Sequence, residues 1–386
     1  MFEIIDREVG GTVIKVIGVG GAGGNAVDHM VREGVQGVEF IAANTDAQAL
    51  GRSGAAIKVQ LGKTGLGAGA KPEAGRLAAE EHRAEIAERL KGAHMAFITA
   101  GMGGGTGTGA APIVAQVARE MGILTVGVVT KPFIFEGKRM KLAEEGIAEL
   151  QKHVDSLIVI LNEKLMEVLG DEAEFDECFR AADNVLRNAV GGIAEIITSP
   201  GMVNVDFEDV RTVMGEMGRA MMGSAQAAGV DRARIAAEQA VSSPLLEGIE
   251  LSGARGVLVN ITATRGLKMR EVHEVMNTVR AFAADDAHII FGAVFDENMA
   301  DALRVTVVAT GLGRQAKPSI RIVESETQSA SRTGTDDYPV LTNTDYERLE
   351  TPAVFRNARA STRVDALVNS GVDRYDIPAF LRKQAD

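Results

Sequence analysis

Hydrophobic positions along the chain alternate between short continuous apolar runs and longer stretches with helical spacing. Helical spacing is clear over 26–34 and 72–92, and Pro72 and Gly92 suit the start and the end of the second helix. Short runs rich in β-branched residues predict strands at 12–20, 38–46, 95–101, 123–131 and 155–162. Strands that are apolar on both faces and alternate with helices are typical of a parallel sheet covered by helices on both sides.

The second half of the chain repeats this alternation on a smaller scale. A long helical pattern at 176–199 leads out of the first region and is broken by Pro200 and Gly201. Strand patterns follow at 255–264, 288–296 and 303–312, with a helical pattern at 269–283. The predicted fold class is therefore α/β: a parallel-sheet domain, a long central helix, a smaller α/β domain and a disordered tail.

The tail is predicted from composition. Residues 324–370 are polar, rich in Ser and Thr, and without sustained periodicity, which is typical of a disordered linker. In the last residues, Ile377, Phe380 and Leu381 have the i, i+3, i+4 spacing of a short helix that docks in a groove, although a frayed end is the alternative. The predicted segments are 1–11 (flexible), 12–175 (first domain), 176–203 (central helix and the start of a loop), 204–318 (second domain), 319–373 (linker) and 374–386 (docking peptide).

Composition restricts the functional classes. The net charge of −12 argues against general affinity for nucleic acid phosphates. The single cysteine, Cys178, excludes an internal disulfide and indicates a reducing cytosol. The acidic start of the chain does not resemble a signal peptide. No run of about 18 apolar residues predicts a membrane span, so we expect any membrane role to come through a partner.

The stretch AGMGGGTGTGAAP, residues 100–112, contains six glycines. Glycine in ordered structure costs about 0.5–1 kcal/mol relative to alanine, so such a run indicates a close approach to the backbone. It lies between a predicted strand and a helical pattern. Backbone N–H groups in a strand–loop–helix turn, with the dipole of the following helix, form an anion cradle. We therefore expect phosphate binding here, with hydroxyls from Thr106 and Thr108.

A second glycine-rich turn, GVGGAGGNAV at 18–27, also joins a strand to a helix. Gly18, Gly20 and Gly23 satisfy the dinucleotide fingerprint, and Asp46 follows at a suitable distance, so an NAD-binding oxidoreductase is the alternative. Two glycine turns at the ends of different strands suit a chain of phosphates held from two sides. A P-loop is excluded, because LGKT at 61–64 has Ile57 where the leading glycine would stand.

These motifs together resemble the tubulin/FtsZ family of GTPases. The resemblance is carried by GGGTGTG (103–109), NTDAQAL, GLGAGA, TKPF, FEGK, MVNVDFEDV, SSPLLE, GARGVLVNIT, LRVTVVATG and DIPAFLRKQAD. It implies that the chain binds GTP and GDP with Mg²⁺, hydrolyses GTP, and polymerises head to tail into filaments of the bacterial division ring. It also implies a cytoplasmic location at midcell and docking of the terminal peptide to tethers such as FtsA and ZipA.

The resemblance assigns nucleotide-binding roles residue by residue. The ribose contacts are Glu136 and Arg139, in a loop one residue shorter than is usual in the family; an exposed ion pair is the alternative. The guanine pocket is Asn162, Phe179 and Asp183. The phosphate contacts are Gly21, Ala22, Gly23, Gly24 and Asn25 in the first turn, and Gly104, Gly105, Thr106 and Gly107 in the second.

The catalytic assignment falls on Asn204, Asp206 and Asp209. Asp and Asn before a helix are usually caps, which is the simpler interpretation. The predicted helix at 176–199 would separate these residues from the glycine turns by roughly 35 Å, so they could reach a phosphate only on another molecule. The resemblance implies this arrangement, with Asp206 and Asp209 acting on the attacking water and Asn204 supporting them. A scaffold that binds nucleotide without hydrolysing it is a further alternative, and no metal ligand is assigned.

Overall fold

A computed structural model describes residues 11–170, 174–198, 205–215, 218–243, 254–284 and 287–312. Residues 1–10 of the predicted flexible start at 1–11 lie outside these residues, as does Asn204. So do the linker and the docking peptide with Ile377, Phe380 and Leu381.

Ten strands form one sheet. In spatial order they are β3-β2-β1-β4-β5-β6-β7-β10-β8-β9. All neighbouring pairs from β3 to β7 are parallel, as is β8 with β9, whereas β10 is antiparallel to both β7 and β8. The strands are β1 (Ile14–Val19), β2 (Val38–Asn44), β3 (Ile57–Gln60), β4 (Met95–Gly101), β5 (Leu124–Lys131), β6 (Ser156–Leu161), β7 (Gly218–Ala228), β8 (Gly256–Ala263), β9 (His288–Phe295) and β10 (Ala302–Leu312).

Eleven helices are described, and they connect or cover these strands. They are α1 (Gly20–Arg32), α2 (Ala47–Arg52), α3 (Pro72–Glu81), α4 (Arg83–Leu90), α5 (Thr106–Glu120), α6 (Lys138–Leu150), α7 (Asn162–Leu169), α8 (Phe175–Thr198), α9 (Phe207–Met214), α10 (Arg232–Val241) and α11 (Met269–Phe282). Short 3-10 turns lie at Ile134–Glu136 and Glu297–Met299. The predicted α/β class with a mostly parallel sheet is confirmed.

The two faces of the sheet have separate cores because successive side chains of a strand point to opposite sides. In β4, Phe97 packs into the cluster built with α1, α8 and α9, whereas Ile98 packs into the cluster built with α3 to α6. A third cluster joins α10 and α11 to β8 and β10 through residues such as Val257 and Val305. The aliphatic cores therefore follow the alternation read from the sequence.

Three differences from the predicted elements have a clear physical reason. The helix predicted at 72–92 is two helices, α3 and α4, which meet at His82, where the ring Nδ1 accepts the Gly62 N–H at 3.3 Å. Helix α1 begins at Gly20, six residues before the predicted 26. The predicted start is too late because the first turn is rich in glycine, which has a weak helix preference. Strand β7 was missed because its Gly, Ala and Ser residues lack the β-branched signal.

Candidate functional site

The two glycine turns lie side by side at the carboxyl edge of the sheet. β1 pairs with β4 along its full length, so the starts of α1 and α5 are brought together. Neither helix has a side-chain N-cap or an acidic residue in its first turn. Helix N-termini leave backbone N–H groups without intrahelical partners, and the helix dipole favours an anion there. The described geometry is therefore that of a paired anion cradle.

Most glycines in these turns are required by packing. A Cβ on Gly107 would lie 2.5 Å from the Gly101 carbonyl oxygen, and one on Gly105 would lie 2.9 Å from the Lys71 nitrogen. A Cβ on Gly23 would likewise lie 2.4 Å from the Thr99 carbonyl oxygen. Gly21 and Gly104, in contrast, face open space, with nothing within 4 Å of the added carbon. The close approach to the backbone that the glycine run indicates is therefore made in part by the protein's own backbone.

A cleft of about 260 Å³ opens between the two turns. Thr130 and Pro132 at the end of β5 contribute to its wall. Ten residues assigned from the resemblance line it: Gly21, Ala22, Gly104, Gly105, Thr106, Gly107, Glu136, Arg139, Asn162 and Phe179. The structure thus brings most of the assigned residues to one place.

The remaining nucleotide-binding assignments lie around this cleft. Gly24 and Asn25 line a neighbouring cleft of about 320 Å³ between α1, β2 and α2, which shares Gly21 with the first. Gly23 is buried under the turn, and Asp183 lies on α8 beside α1. These four assigned residues therefore do not line the first cleft, and only Gly24 and Asn25 line the second.

Glu136 and Arg139 form an ion pair at 2.9 Å at the mouth of the cleft. The Glu136 side chain is 17% exposed and also accepts the Phe133 N–H at 3.0 Å, whereas the Arg139 side chain is 60% exposed. The alternative of an ion pair at a helix start is what the structure shows. Because both residues also line the cleft, the pair is compatible with a role at the ligand.

Asn162 and Phe179 provide a polar and an aromatic wall. Asn162 begins α7, is 5% exposed, and its Oδ1 atom is buried without a hydrogen-bond partner. Leaving a buried acceptor unpaired costs about 1–3 kcal/mol, so a ligand with N–H donors fits this position. Phe179 is 40% exposed and meets Phe133 edge to face, with ring centroids 5.6 Å apart. An orphan acceptor beside an accessible aromatic ring suits a purine base.

Asp183 is partly buried between α8 and α1. Burial raises its pKa from 3.8 to about 6, and the charges of His29 and Arg32 oppose this rise. Next to it, Asn184 Oδ1 lies 2.7 Å from His29 Nε2, which links the two helices. Burial makes the ionised form of this carboxylate unfavourable, and a hydrogen-bond donor on a bound ligand would stabilise that form.

The raised pKa of Asp183 predicts a pH dependence of stability. The folded state holds the proton more tightly than the unfolded state, so the free energy of unfolding should fall as pH rises from about 4 to about 6, and then level off. We expect Asp183→Asn to remove this part of the slope and to raise the midpoint of thermal unfolding at neutral pH. Melting curves of both proteins without nucleotide, from pH 4.5 to 8, would measure it. Parallel slopes would contradict the assignment.

Asp206 and Asp209 are exposed at the start of α9. Asp206 is the N-cap, and its Oδ1 accepts the Asp209 N–H at 2.8 Å, so the simpler interpretation as a cap is confirmed for Asp206. Phe207, between them, contacts the ring of His94 with centroids 6.0 Å apart. His94 precedes β4, whereas the glycine turn follows β4, so the acidic residues and the cleft lie at opposite edges of the sheet.

Sequence reasoning missed several contacts. Thr45 Oγ1 lies 2.6 Å from Thr106 Oγ1, which ties the end of β2 to the second turn. The position of Thr45 directly after an apolar strand was the available signal. Asp46, beside it, caps α2 by accepting the Gln48 and Ala49 N–H groups. Cys178 is buried in the apolar core of α8.

Among the described residues, no group of three or more His, Cys, Asp or Glu side chains could hold a metal ion. In the same part of the chain, no helix has the length and apolarity needed to cross a bilayer.

The fold and the cleft define a class. β3-β2-β1-β4-β5-β6 is the strand order of doubly wound dinucleotide-binding proteins, and the ligand site lies at the carboxyl edge as in that class. What sets this chain apart is the second glycine turn beside the first. The molecule is therefore an α/β nucleotide-binding protein with two adjacent phosphate cradles.

Comparison with known proteins identifies the family. Residues 13–170 match the GTPase domain of the Tubulin/FtsZ family, and residues 218–313 match the C-terminal domain of the FtsZ family. The chain is 55% identical over 398 residues to Cell division protein FtsZ of Pseudomonas putida and 54% identical over 394 residues to that of Pseudomonas aeruginosa, with all of each chain covered. A solved structure described as an empty FtsZ dimer from M. jannaschii has 44% identity and a TM-score of 0.75, covering 79% of this chain and 89% of that one.

The chain belongs to the FtsZ family, and it is a guanine-nucleotide-binding GTPase of cell division. This confirms the resemblance read from the glycine motifs. The alternative of an NAD-dependent oxidoreductase rested on one glycine fingerprint, and the family match favours the GTPase.

Proposed function

We propose that this protein is an assembly-dependent GTPase that polymerises head to tail, and that GTP is hydrolysed between subunits. One protomer holds GTP between its two glycine turns. The next protomer brings Asp206 and Asp209, together with Asn204, to the γ-phosphate. A head-to-tail contact of this kind does not close on itself and therefore generates a filament.

One observation carries the proposal: the acidic start of α9 lies at the amino edge of the sheet. At ~3.3 Å per residue, the seven residues of β4 span about 23 Å between His94 and the glycine turn. From Phe179 at the cleft, the remaining 20 residues of α8 rise about 30 Å to Thr198, in the direction of α9. Hydrolysis needs carboxylates within hydrogen-bond reach of the attacking water. Asp206 and Asp209 can meet that requirement only on another protomer.

The chemistry follows from the groups on the two edges. Backbone N–H groups at the starts of α1 and α5 hold the phosphates, Asn162 and Asp183 accept hydrogen bonds from guanine, and the Phe179 ring packs on the base. Asp206 and Asp209 orient a water in line with the γ-phosphate and accept its proton. Mg²⁺ bound with the nucleotide would neutralise part of the charge that develops on the phosphates, and no side chain of this protein is assigned as its ligand.

An apolar rim beside the cleft also supports assembly. Leu66, Ile134 and Phe135 are 88%, 67% and 69% exposed, and Ile134 and Phe135 directly precede Glu136 of the cleft wall. Exposed apolar groups that cluster at one edge are typical of an interaction surface. The neighbouring protomer would cover this rim when its α9 approaches the nucleotide.

The concentration dependence of turnover tests the shared site. Phosphate release per molecule should be close to zero in dilute protein and rise steeply above a threshold concentration, with light scattering rising in parallel on GTP and not on GDP. Thermal protection by GTP but not by NAD is the binding control. A constant rate per molecule down to the lowest concentration would show that one protomer is sufficient.

We further propose a cytoplasmic location at the midcell division site, with the terminal peptide as the link to the membrane. Ile377, Phe380 and Leu381 would form an apolar helix face for tethers such as FtsA and ZipA. Deleting residues 374–386 should abolish tether binding in a pull-down and leave GTP-dependent light scattering unchanged. Normal tether binding by the shortened chain would contradict this assignment.

A further inference from the structure

The last turn of α9 is held by two buried hydroxyls. The final four carbonyls of a helix have no partner within it. In α9 the Arg211 carbonyl is satisfied by the Gly215 N–H at 2.8 Å. The carbonyls of Val213 and Met214 instead accept hydrogen bonds from side chains of distant strands. This is unusual support for a helix of eight residues.

The two hydroxyls come from two different strands. Ser156, the first residue of β6 in the GTPase domain, is fully buried and donates to the Met214 oxygen at 2.6 Å. Thr310, in β10 of the C-terminal domain, is also fully buried and donates to the Val213 oxygen at 2.8 Å. The end of α9 is therefore bonded to both domains.

The surroundings leave this end little freedom. A Cβ on Gly256, the first residue of β8, would lie 2.6 Å from the Thr310 hydroxyl and 3.0 Å from a Val213 methyl. At the other end of α9, Asp206 caps the helix and Phe207 contacts His94. An isolated helix this short is not stable alone, so these contacts determine where it points.

We infer that Ser156 and Thr310 are positioning residues for hydrolysis, which fix the direction of α9 and so the place of Asp206 and Asp209 in the neighbouring nucleotide site. This inference rests on the proposed function. Catalysis is sensitive to small displacements, and a shift of about 1 Å can reduce a rate 100-fold. Both hydroxyls are remote from the cleft of their own protomer, because they lie with α9 at the amino edge of the sheet.

The test uses near-isosteric substitutions in the full-length chain. Ser156→Ala and Thr310→Val each remove one hydrogen bond, and Thr310→Ser keeps the hydroxyl. We expect GTP affinity and pelletable polymer to be unchanged for the first two, with phosphate release per assembled subunit reduced about tenfold. Thr310→Ser should restore most of the rate. A loss of kcat without a change in KM is the signature of positioning.

Thr125→Val is the matched control for stability. Thr125 is fully buried in β5 and its hydroxyl donates to the Ile123 oxygen at 2.9 Å, not to α9. Its backbone N–H donates to Asp155, the residue before Ser156, so the control tests the same region without removing a bond to α9. The Thr125→Val substitution should lower the melting temperature as much as Ser156→Ala does, but leave the GTP turnover rate unchanged. If Thr125→Val loses turnover equally, the effect is loss of stability and the inference is wrong.

Asp209→Ala separates this inference from the proposed function. If Asp209→Ala is inactive while Ser156→Ala and Thr310→Val hydrolyse GTP at the normal rate, the inference fails and the shared site stands. If Asp209→Ala is fully active, the shared site itself fails. Should Ser156→Ala not fold, the pair Thr310→Val and Thr310→Ser decides the question alone.

Discussion

Asp209→Ala is expected to reduce GTP turnover per assembled subunit by at least ~100-fold while GTP binding remains intact. A positioned general base contributes roughly 10²–10⁴-fold. The Asp209 N–H is bonded to the capping Asp206 at 2.8 Å, which fixes the two carboxylates relative to each other. The nucleotide cleft lies at the opposite edge of the sheet and is not touched by the change. Phosphate release and equilibrium binding of a fluorescent GTP analogue would measure the two effects separately.

Glu208→Ala is the matched control for this prediction. Glu208 is the neighbouring residue on the same turn of α9, is exposed, and pairs only loosely with Arg211 at 3.7 Å. Its removal changes the local charge by the same amount and should leave turnover near the normal rate. Equal losses for Glu208→Ala and Asp209→Ala would indicate a general electrostatic effect and contradict a specific role for Asp209.

Gly104→Val is expected to weaken GTP binding by at least ~100-fold with no loss of thermal stability. An added Cβ at Gly104 meets no atom within 4 Å, so the valine side chain would occupy the open cleft where phosphate must lie. Losing the close approach of phosphate to several backbone N–H groups removes charge-assisted hydrogen bonds worth roughly 1.5–3 kcal/mol each. Isothermal titration with GTP, beside a melting curve, measures both quantities.

Two further glycines make this prediction specific. Gly51 in α2 also has nothing within 4 Å and lines neither cleft, so Gly51→Val should bind GTP normally. Gly107→Val should fail to fold, since its Cβ would strike the Gly101 carbonyl at 2.5 Å. Normal GTP affinity in Gly104→Val would place the phosphates elsewhere.

The two inactive proteins can be combined into one decisive experiment. The Asp209→Ala protein binds GTP but lacks the Asp209 carboxylate. The Gly104→Val protein does not bind GTP but carries an intact α9. If the site is shared, a mixture should regain turnover at interfaces where α9 of Gly104→Val meets the GTP of Asp209→Ala. A mixture that forms joint polymer and stays inactive would show that both groups must belong to one protomer.

Much of the candidate site could be predicted from the sequence. Ten of the assigned nucleotide-binding residues line one cleft, because glycine turns after parallel strands must meet at one edge of the sheet. The positions of Asn25 and Asp183 relative to this cleft could not be predicted, because they depend on how α1 and α8 are rotated against each other. The same holds for the orphan Oδ1 of Asn162, which no local pattern reveals.

The sequence by itself determined eight of the ten described strands, the central helix α8, the paired glycine turns and the family, because apolar periodicity and turn residues are local signals. Only the tertiary structure decided which glycines face a ligand, that β7 joins the two halves into one sheet, and that α9 lies at the amino edge, held by Ser156 and Thr310. Those features depend on contacts between residues far apart in the chain. Such contacts are set by packing and hydrogen bonding in three dimensions, and they leave no periodic trace in the sequence.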